Sequence, residues 1–278
     1  MLEQIKNRVR ELLEQNRISG FVGLIKEGGH IRPYLFTRAD ELDRLSIGHA
    51  DSPVGDKGNE FHGFRRYPLN QVLIRLAKAF PEKTFSIFVR GCDERGLNEI
   101  FKWNQLKPDK VIPIGVSCPR ELAEYCECAK PYPDALVAGD PVKGFRNKSV
   151  AQIRQLPLTD RFQYWRAAFD RCIKCYGCRD VCPMCFCNEC SLEDEQLMHK
   201  PDLPPSNPIF HLTRAVHMAG RCIDCGLCSE ACPAHIPLRT LYKEVQEILE
   251  EQFGYKTGYS QEERSPLNLL GPPPEGTG

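Results

Sequence analysis

Leu2, Ile5, Val9, Leu12 and Leu13 recur at helical spacing and predict an amphipathic opening helix. A continuous apolar run follows, FVGLI at 21–25, short enough to be a buried strand. PLNQVLIRLAKAF (68–80) returns to helical periodicity. TFSIFV (84–89) is rich in β-branched and aromatic residues and predicts a strand that ends at Arg90-Gly91-Cys92. DERGLNEIFKWNQL (93–106) is helical again, with Asp93 and Glu94 placed to cap its start and favour its dipole. VIPIGV (111–116) is a further buried strand, ending at Ser117-Cys118-Pro119. Strand, helix and strand joined by short connections predict a βαβ unit and an α/β domain with a largely parallel sheet. Cys92 and Cys118 then stand just beyond the carboxyl ends of neighbouring strands, the edge where open α/β sheets bind ligands.

The pattern changes after residue 140. Basic residues dominate 143–179, where Lys143, Arg146, Arg154, Arg161, Arg171, Lys174 and Arg179 outnumber Asp160 and Asp170. They would offset an anionic cofactor, form a solvated face or dock an acidic partner. The helical stretch DRFQYWRAAFDRC leads into a cysteine-rich segment. PDLPPSNP (201–208) is a connector, HLTRAVHMAG precedes a second cysteine run, and PLRTLYKEVQEILEEQF (237–253) is an amphipathic helix. The expected organisation is an α/β domain over 1–145, an α+β two-cluster ferredoxin-like domain with flanking helices over 146–253, and an extended or disordered tail over 254–278.

Composition narrows the function classes. The formal net charge of zero gives no electrostatic case for nucleic acid or an anionic membrane. The charged opening MLEQIKNRVRELLEQNR has no apolar signal region, and no run of 18 apolar residues exists to span a membrane. The expectation is a soluble cytoplasmic protein, in which 15 cysteines are more readily metal ligands than disulfides.

Two runs share one spacing. Cys172, Cys175, Cys178 and Cys182-Pro183 form C-x2-C-x2-C-x3-C-P, and so do Cys222, Cys225, Cys228 and Cys232-Pro233. This is the two-cluster bacterial ferredoxin pattern. Three thiolates at three-residue spacing curl around one cubane, and the fourth, turned away by the proline, reaches the other. The ligand sets are therefore Cys172, Cys175, Cys178 and Cys232 for one 4Fe-4S cluster, and Cys222, Cys225, Cys228 and Cys182 for its neighbour. Gly177 and Gly226 would let backbone N–H groups approach the sulfurs. Zinc is the competing metal, but a structural zinc site needs four ligands, not two complete runs each ending in proline.

Seven further cysteines are less regular. Cys92, Cys118, Cys126 and Cys128 could converge at the sheet edge on a third cluster, or pack as small buried residues. Cys185, Cys187 and Cys190 cannot close a metal site alone; they would need His199, His211 or another cysteine, or else act as spare ligands or packing residues. Histidines such as His30, His62 and His217 fit surface roles better than ligation. No phosphate-binding or dinucleotide-binding glycine loop and no nucleophile elbow is present.

The stretch SIFVRGCDERGLNEIFKWNQLKPDKVIPIGVSCP resembles the core of the beta subunits of coenzyme F-420-dependent hydrogenase and formate dehydrogenase, where a strand ends at a cysteine, a helix with Gly-Leu near its start follows, and a second strand ends at another cysteine. The resemblance covers roughly residues 1–145. It implies an electron-transfer subunit and a cubane on the α/β domain's own cysteines, matched here by Cys92, Cys118, Cys126 and Cys128. In several such proteins FAD exchanges a hydride with a deazaflavin, but the glycine-rich opening associated with that flavin is missing here, and the ferredoxin module lies C-terminal to the α/β domain. The expected function is an iron–sulfur subunit relaying single electrons between a catalytic subunit and a second redox partner. The former would be a hydrogenase, a formate or aldehyde dehydrogenase or a heterodisulfide-reductase-like protein, and the latter a soluble ferredoxin or a hydride carrier. The alternative is an FAD-containing subunit that itself oxidises or reduces a deazaflavin.

Overall fold

The computed structural model describes residues 1–54, 62–196, 203–205 and 208–267. His199 and the final GPPPEGTG lie outside the described residues. The chain divides into two units, Met1–Arg146 with Gly258–Arg264, and Asn147–Thr257 with Ser265–Leu267.

The first unit is built on a sheet whose strands lie in the order His30–Phe36 (β2), Gly20–Glu27 (β1), Phe85–Val89 (β6), Val111–Val116 (β7) and Leu136–Ala138 (β8). β1 (Gly20–Glu27) and β2 (His30–Phe36) form an antiparallel hairpin, and β3 (Leu45–Ser46) also pairs antiparallel with β1. β6 (Phe85–Val89), β7 (Val111–Val116) and β8 (Leu136–Ala138) continue the sheet in parallel, so the parallel expectation holds for the part that carries the cysteines. Phe21, Ile25, Phe36, Phe88 and Ile87 are fully or almost fully buried across these strands, each contributing about 1.5–3 kcal/mol by leaving water. β4 (His49–Val54) and β5 (His62–Phe64) form a separate pair.

The helices follow from the same apolar pattern. α1 (Leu2–Glu14) buries Ile5, Val9 and Leu12, one stripe of the predicted opening helix. α2 (Leu69–Ala79) buries Leu69, Leu73 and Ile74. α3 (Gly91–Lys102) begins directly after β6, which puts Cys92 inside its first turn. Asp93 accepts the Arg90 backbone N–H at 3.0 Å, the capping role expected of it. Gly115 marks a close chain approach: a Cβ there would stand 1.9 Å from the Ala135 carbonyl oxygen. α4 (Arg120–Tyr125) follows β7. The returning segment 258–264 docks on α3, where the Gly258 N–H donates to Glu99 at 2.8 Å and Asn98 donates to the Gly258 carbonyl at 2.8 Å.

Among its described residues the second unit contains helices and cysteine loops and no strand. α5 (Lys148–Arg154), α6 (Leu158–Phe169), α8 (Ile209–Met218) and α10 (Leu238–Phe253) supply the packing surfaces, and the short α7 (Gly177–Asp180) and α9 (Leu227–Glu230) belong to the cysteine motifs. Much of the basic run is absorbed within this unit. Arg154 of α5 binds Glu244 at 2.9 Å and Glu251 at 2.6 Å on α10, Arg171 donates to the Ala234 and His235 carbonyls, and Arg179 pairs with Asp180 and Glu193. These are structural pairings, so the run is not a uniform docking face.

Candidate iron–sulfur sites

The two regular motifs fold alike. Lys174 and Asp224 have positive φ (53° and 54°), as do Tyr176 (58°) and Gly226 (76°), at matching positions. A single helical turn follows in each, and the Asp180 and Glu230 N–H groups bond back to the Tyr176 and Gly226 carbonyls. These reversals fold the three closely spaced cysteines into a bowl. Within the first, the Lys174 backbone N–H donates to Cys172 Sγ at 3.4 Å.

Each bowl closes over a pocket, and the cysteines lining it are drawn from both motifs. One pocket, with about 330 Å³ of atom-free space, is lined by Cys172, Cys175, Cys178 and Cys232, together with Lys174, Tyr176, Phe210 and His211. Its neighbour, of about 360 Å³, is lined by Cys182, Cys222, Cys225 and Cys228, together with Met184, Arg214, Met218, Arg239 and Tyr242. Cys182 and Cys232 thus each stand in the pocket of the other motif. None of these thiols is in a disulfide. Among the described residues no group of three or more His, Cys, Asp or Glu side chains closes around a single metal ion, whereas four thiols around a pocket suit a polynuclear group.

Polar atoms in the walls test that fit. His211 Nδ1 and Nε2 in the first pocket, and Arg214 Nε and Tyr242 Oη in the second, are buried without a hydrogen-bond partner in the protein. A buried donor left unmade costs about 1–3 kcal/mol. Sulfide and thiolate acceptors inside the pockets would accept from Arg214 Nε, Tyr242 Oη and a His211 ring N–H, so the residues present fit 4Fe-4S clusters. Burial also pushes the Cys178 thiol up to about 11 and the Cys222 thiol up to about 12, so each sheds its proton only when metal binds.

The remaining three thiols do not form one site. Cys185 accepts from Arg214 Nη1 at 3.2 Å. Cys190 packs against the buried pair Leu192 and Phe210, and Cys187 is exposed. His211, a candidate fourth ligand for the trio, lines the first cluster pocket instead. His30 and His217 are exposed, as expected.

In the first unit the structure gathers Cys118, Cys126 and Cys128 into one buried group with Phe64, Leu122 and Ala123. β7 delivers Cys118, and α4 with the turn after it delivers Cys126 and Cys128, whose N–H groups bond to the Leu122 and Ala123 carbonyls. Arginines surround the group. Arg66 donates to Cys126 Sγ at 3.5 Å and Arg95 to Cys128 Sγ at 3.7 Å. Burial raises the Cys118 thiol to about 12, against the pull of Arg90. Cys92 is half-buried one helical turn before Arg95 on α3, a spacing that puts both on one helix face. Arg66 was not legible as part of this site: it is separated from the cysteines in sequence and carries no motif.

Residues 171–237 match the family model of a 4Fe-4S dicluster domain. The chain is 35% identical over 137 residues to the F420-dependent formate dehydrogenase subunit beta of Methanocaldococcus jannaschii, covering 48% of this chain and 36% of that protein. It is 33% identical over 141 residues to the F420-dependent formate dehydrogenase 1 subunit beta of Methanococcus maripaludis, covering 50% of this chain and 36% of the relative. The matched region thus spans about a third of the length of each of these relatives. No helix among the described residues is long and apolar enough to cross a membrane. The chain therefore matches a 4Fe-4S dicluster domain at residues 171–237 and is similar, across about half its length, to the beta subunits of F420-dependent formate dehydrogenases.

Proposed function

We propose that this protein is an electron-relay subunit of a formate-dehydrogenase-type complex, holding two 4Fe-4S clusters on Cys172/Cys175/Cys178/Cys232 and Cys222/Cys225/Cys228/Cys182. The observation that carries this reading is the exchange of the fourth cysteine between two adjoining pockets. When bound, cubanes supply one-electron outer-sphere chemistry. The protein's part is to fix the thiolates, exclude water with Phe210, Ile223 and Leu238, and offer N–H donors to the sulfurs. A third cluster on Cys92, Cys118, Cys126 and Cys128 belongs to the same reading, supported by the three gathered thiols and the arginines that would balance an anionic group. The FAD-containing alternative draws on the F420 dependence in the names of the relatives, and flavin released on denaturation tests it.

The test of the relay is anaerobic. The purified protein is mixed with a formate dehydrogenase catalytic subunit, formate is added, and cluster absorbance is followed. Bleaching that requires both the catalytic subunit and formate supports the proposal. Clusters that dithionite reduces but formate does not, at any ratio of subunits, would overturn the formate-linked role.

A further inference from the structure

Helix α8 carries polar groups to both pockets. It turns Phe210, His211, Arg214, Ala215 and Met218 inward. His211 lines the first pocket, is 2% exposed, and stacks on Phe169 with ring centroids 4.5 Å apart. Arg214, three residues on, lines the second pocket and is 3% exposed. It is held in place by Nη2 donating to the Cys178 carbonyl at 2.8 Å and Nη1 donating to Cys185 Sγ. Tyr242 of α10 joins it there, its ring centroid 5.9 Å from the guanidinium carbon.

These residues present different chemistry to the two pockets. A guanidinium keeps its charge under all ordinary conditions, so Arg214 is a fixed buried cation with a free Nε–H. Its pocket also holds Arg239 and Asp224, but these are paired with each other at 2.8 Å. His211, buried and stacked on Phe169, offers a ring N–H and carries no permanent charge. Each added electron makes a cubane more negative by one unit. A cation in a low-dielectric wall favours that form strongly, and a neutral donor favours it less.

We propose that α8 sets the reduction potentials of the two clusters separately, Arg214 with Tyr242 raising that of the Cys182/Cys222/Cys225/Cys228 cluster by charge and hydrogen bonding, and His211 acting on the other as an N–H donor. This rests on the ligand sets proposed above. Iron content is therefore counted on every variant, because a wrong ligand set alters iron while a wrong tuning role does not.

The experiment is an anaerobic potentiometric titration followed by electron paramagnetic resonance on the full chain and on Arg214→Gln, Arg214→Lys, Tyr242→Phe and His211→Phe. With iron unchanged, Arg214→Gln is expected to lower one midpoint potential well beyond the other, Arg214→Lys to restore most of it, and Tyr242→Phe to lower the same midpoint by less. His211→Phe should lower the opposite midpoint. If Arg214→Gln loses iron, Tyr242→Phe decides, since it deletes one hydroxyl alone. Midpoints that do not move, or that move together in every variant retaining iron, would overturn the proposal and leave α8 a purely structural helix.

Discussion

Cys232 shares a pocket with Cys172 and not with Cys228, its neighbour in the same motif. The proline after it and the single turn of α9 before it turn its side chain away from its own bowl. Cys182 does the same in the opposite direction, which ties the two motifs together. Loss of one ligand should therefore be felt in both.

Cys175→Ser removes one wall of the first pocket. The expected outcome is a loss of about four irons per chain and marked destabilisation of the second unit, because thiolate–metal bonds there stand in for an apolar core. Iron analysis and thermal denaturation check it. Cys187 is exposed, so Cys187→Ser should leave iron unchanged and alter stability by no more than about 0.5 kcal/mol.

Cys128→Ser tests the first unit. Under the three-cluster reading it lowers the iron content from about twelve to about eight per chain and leaves the signals of the dicluster domain intact. Unchanged iron would return Cys92, Cys118, Cys126 and Cys128 to packing roles.

Gly226 and Gly177 should differ. Gly226 has φ of +76°, and a Cβ there would lie 2.8 Å from Arg239 Nη1. Gly226→Ala is expected to cost about 1–2 kcal/mol through left-handed strain and to weaken iron retention in the second pocket. At Gly177 an added Cβ meets only ordinary contacts, 3.4 Å from the Ala231 carbonyl oxygen, so Gly177→Ala should be near neutral. Urea denaturation of both variants makes the comparison.

Cys118 gives the iron-free first unit a pH dependence. Burial lifts its thiol from an ordinary value of 9.0 to about 12. Between those values the unfolded chain has lost a proton that the fold still holds, so stability falls as pH rises, by up to about 1.4 kcal/mol per pH unit for this one thiol. Below pH 8 the effect vanishes. Cys118→Ala removes this dependence, so the stability difference between the iron-free protein and the variant should shift by about 1.4 kcal/mol in the variant's favour between pH 8 and pH 10 in denaturation experiments.

The parts legible in the sequence were those with a strict period or spacing. The β6-α3-β7 unit follows from TFSIFV and VIPIGV flanking a helical stretch, and the ligand exchange follows from two runs of one spacing. Other elements left weaker marks. β2 contains Pro33, which interrupts strand alternation and is tolerated at a sheet edge, and β8 has only three residues. Gly177 and Gly226 both sit inside the loops, yet the first-loop residue that matches left-handed Gly226 is Tyr176, one position before Gly177. The polar lining of the pockets was hidden for another reason. His211 and Arg214 lie on a helix whose apolar pattern explains its packing, and nothing in that pattern marks which polar residues face inward.

The most direct measurement is iron, acid-labile sulfide and zinc per chain in anaerobically purified protein. The account requires at least eight irons, matched by sulfide, for the two exchanged-ligand clusters, and about twelve with the third. Zinc in place of iron, or fewer than about eight irons in protein kept strictly anaerobic, would contradict it.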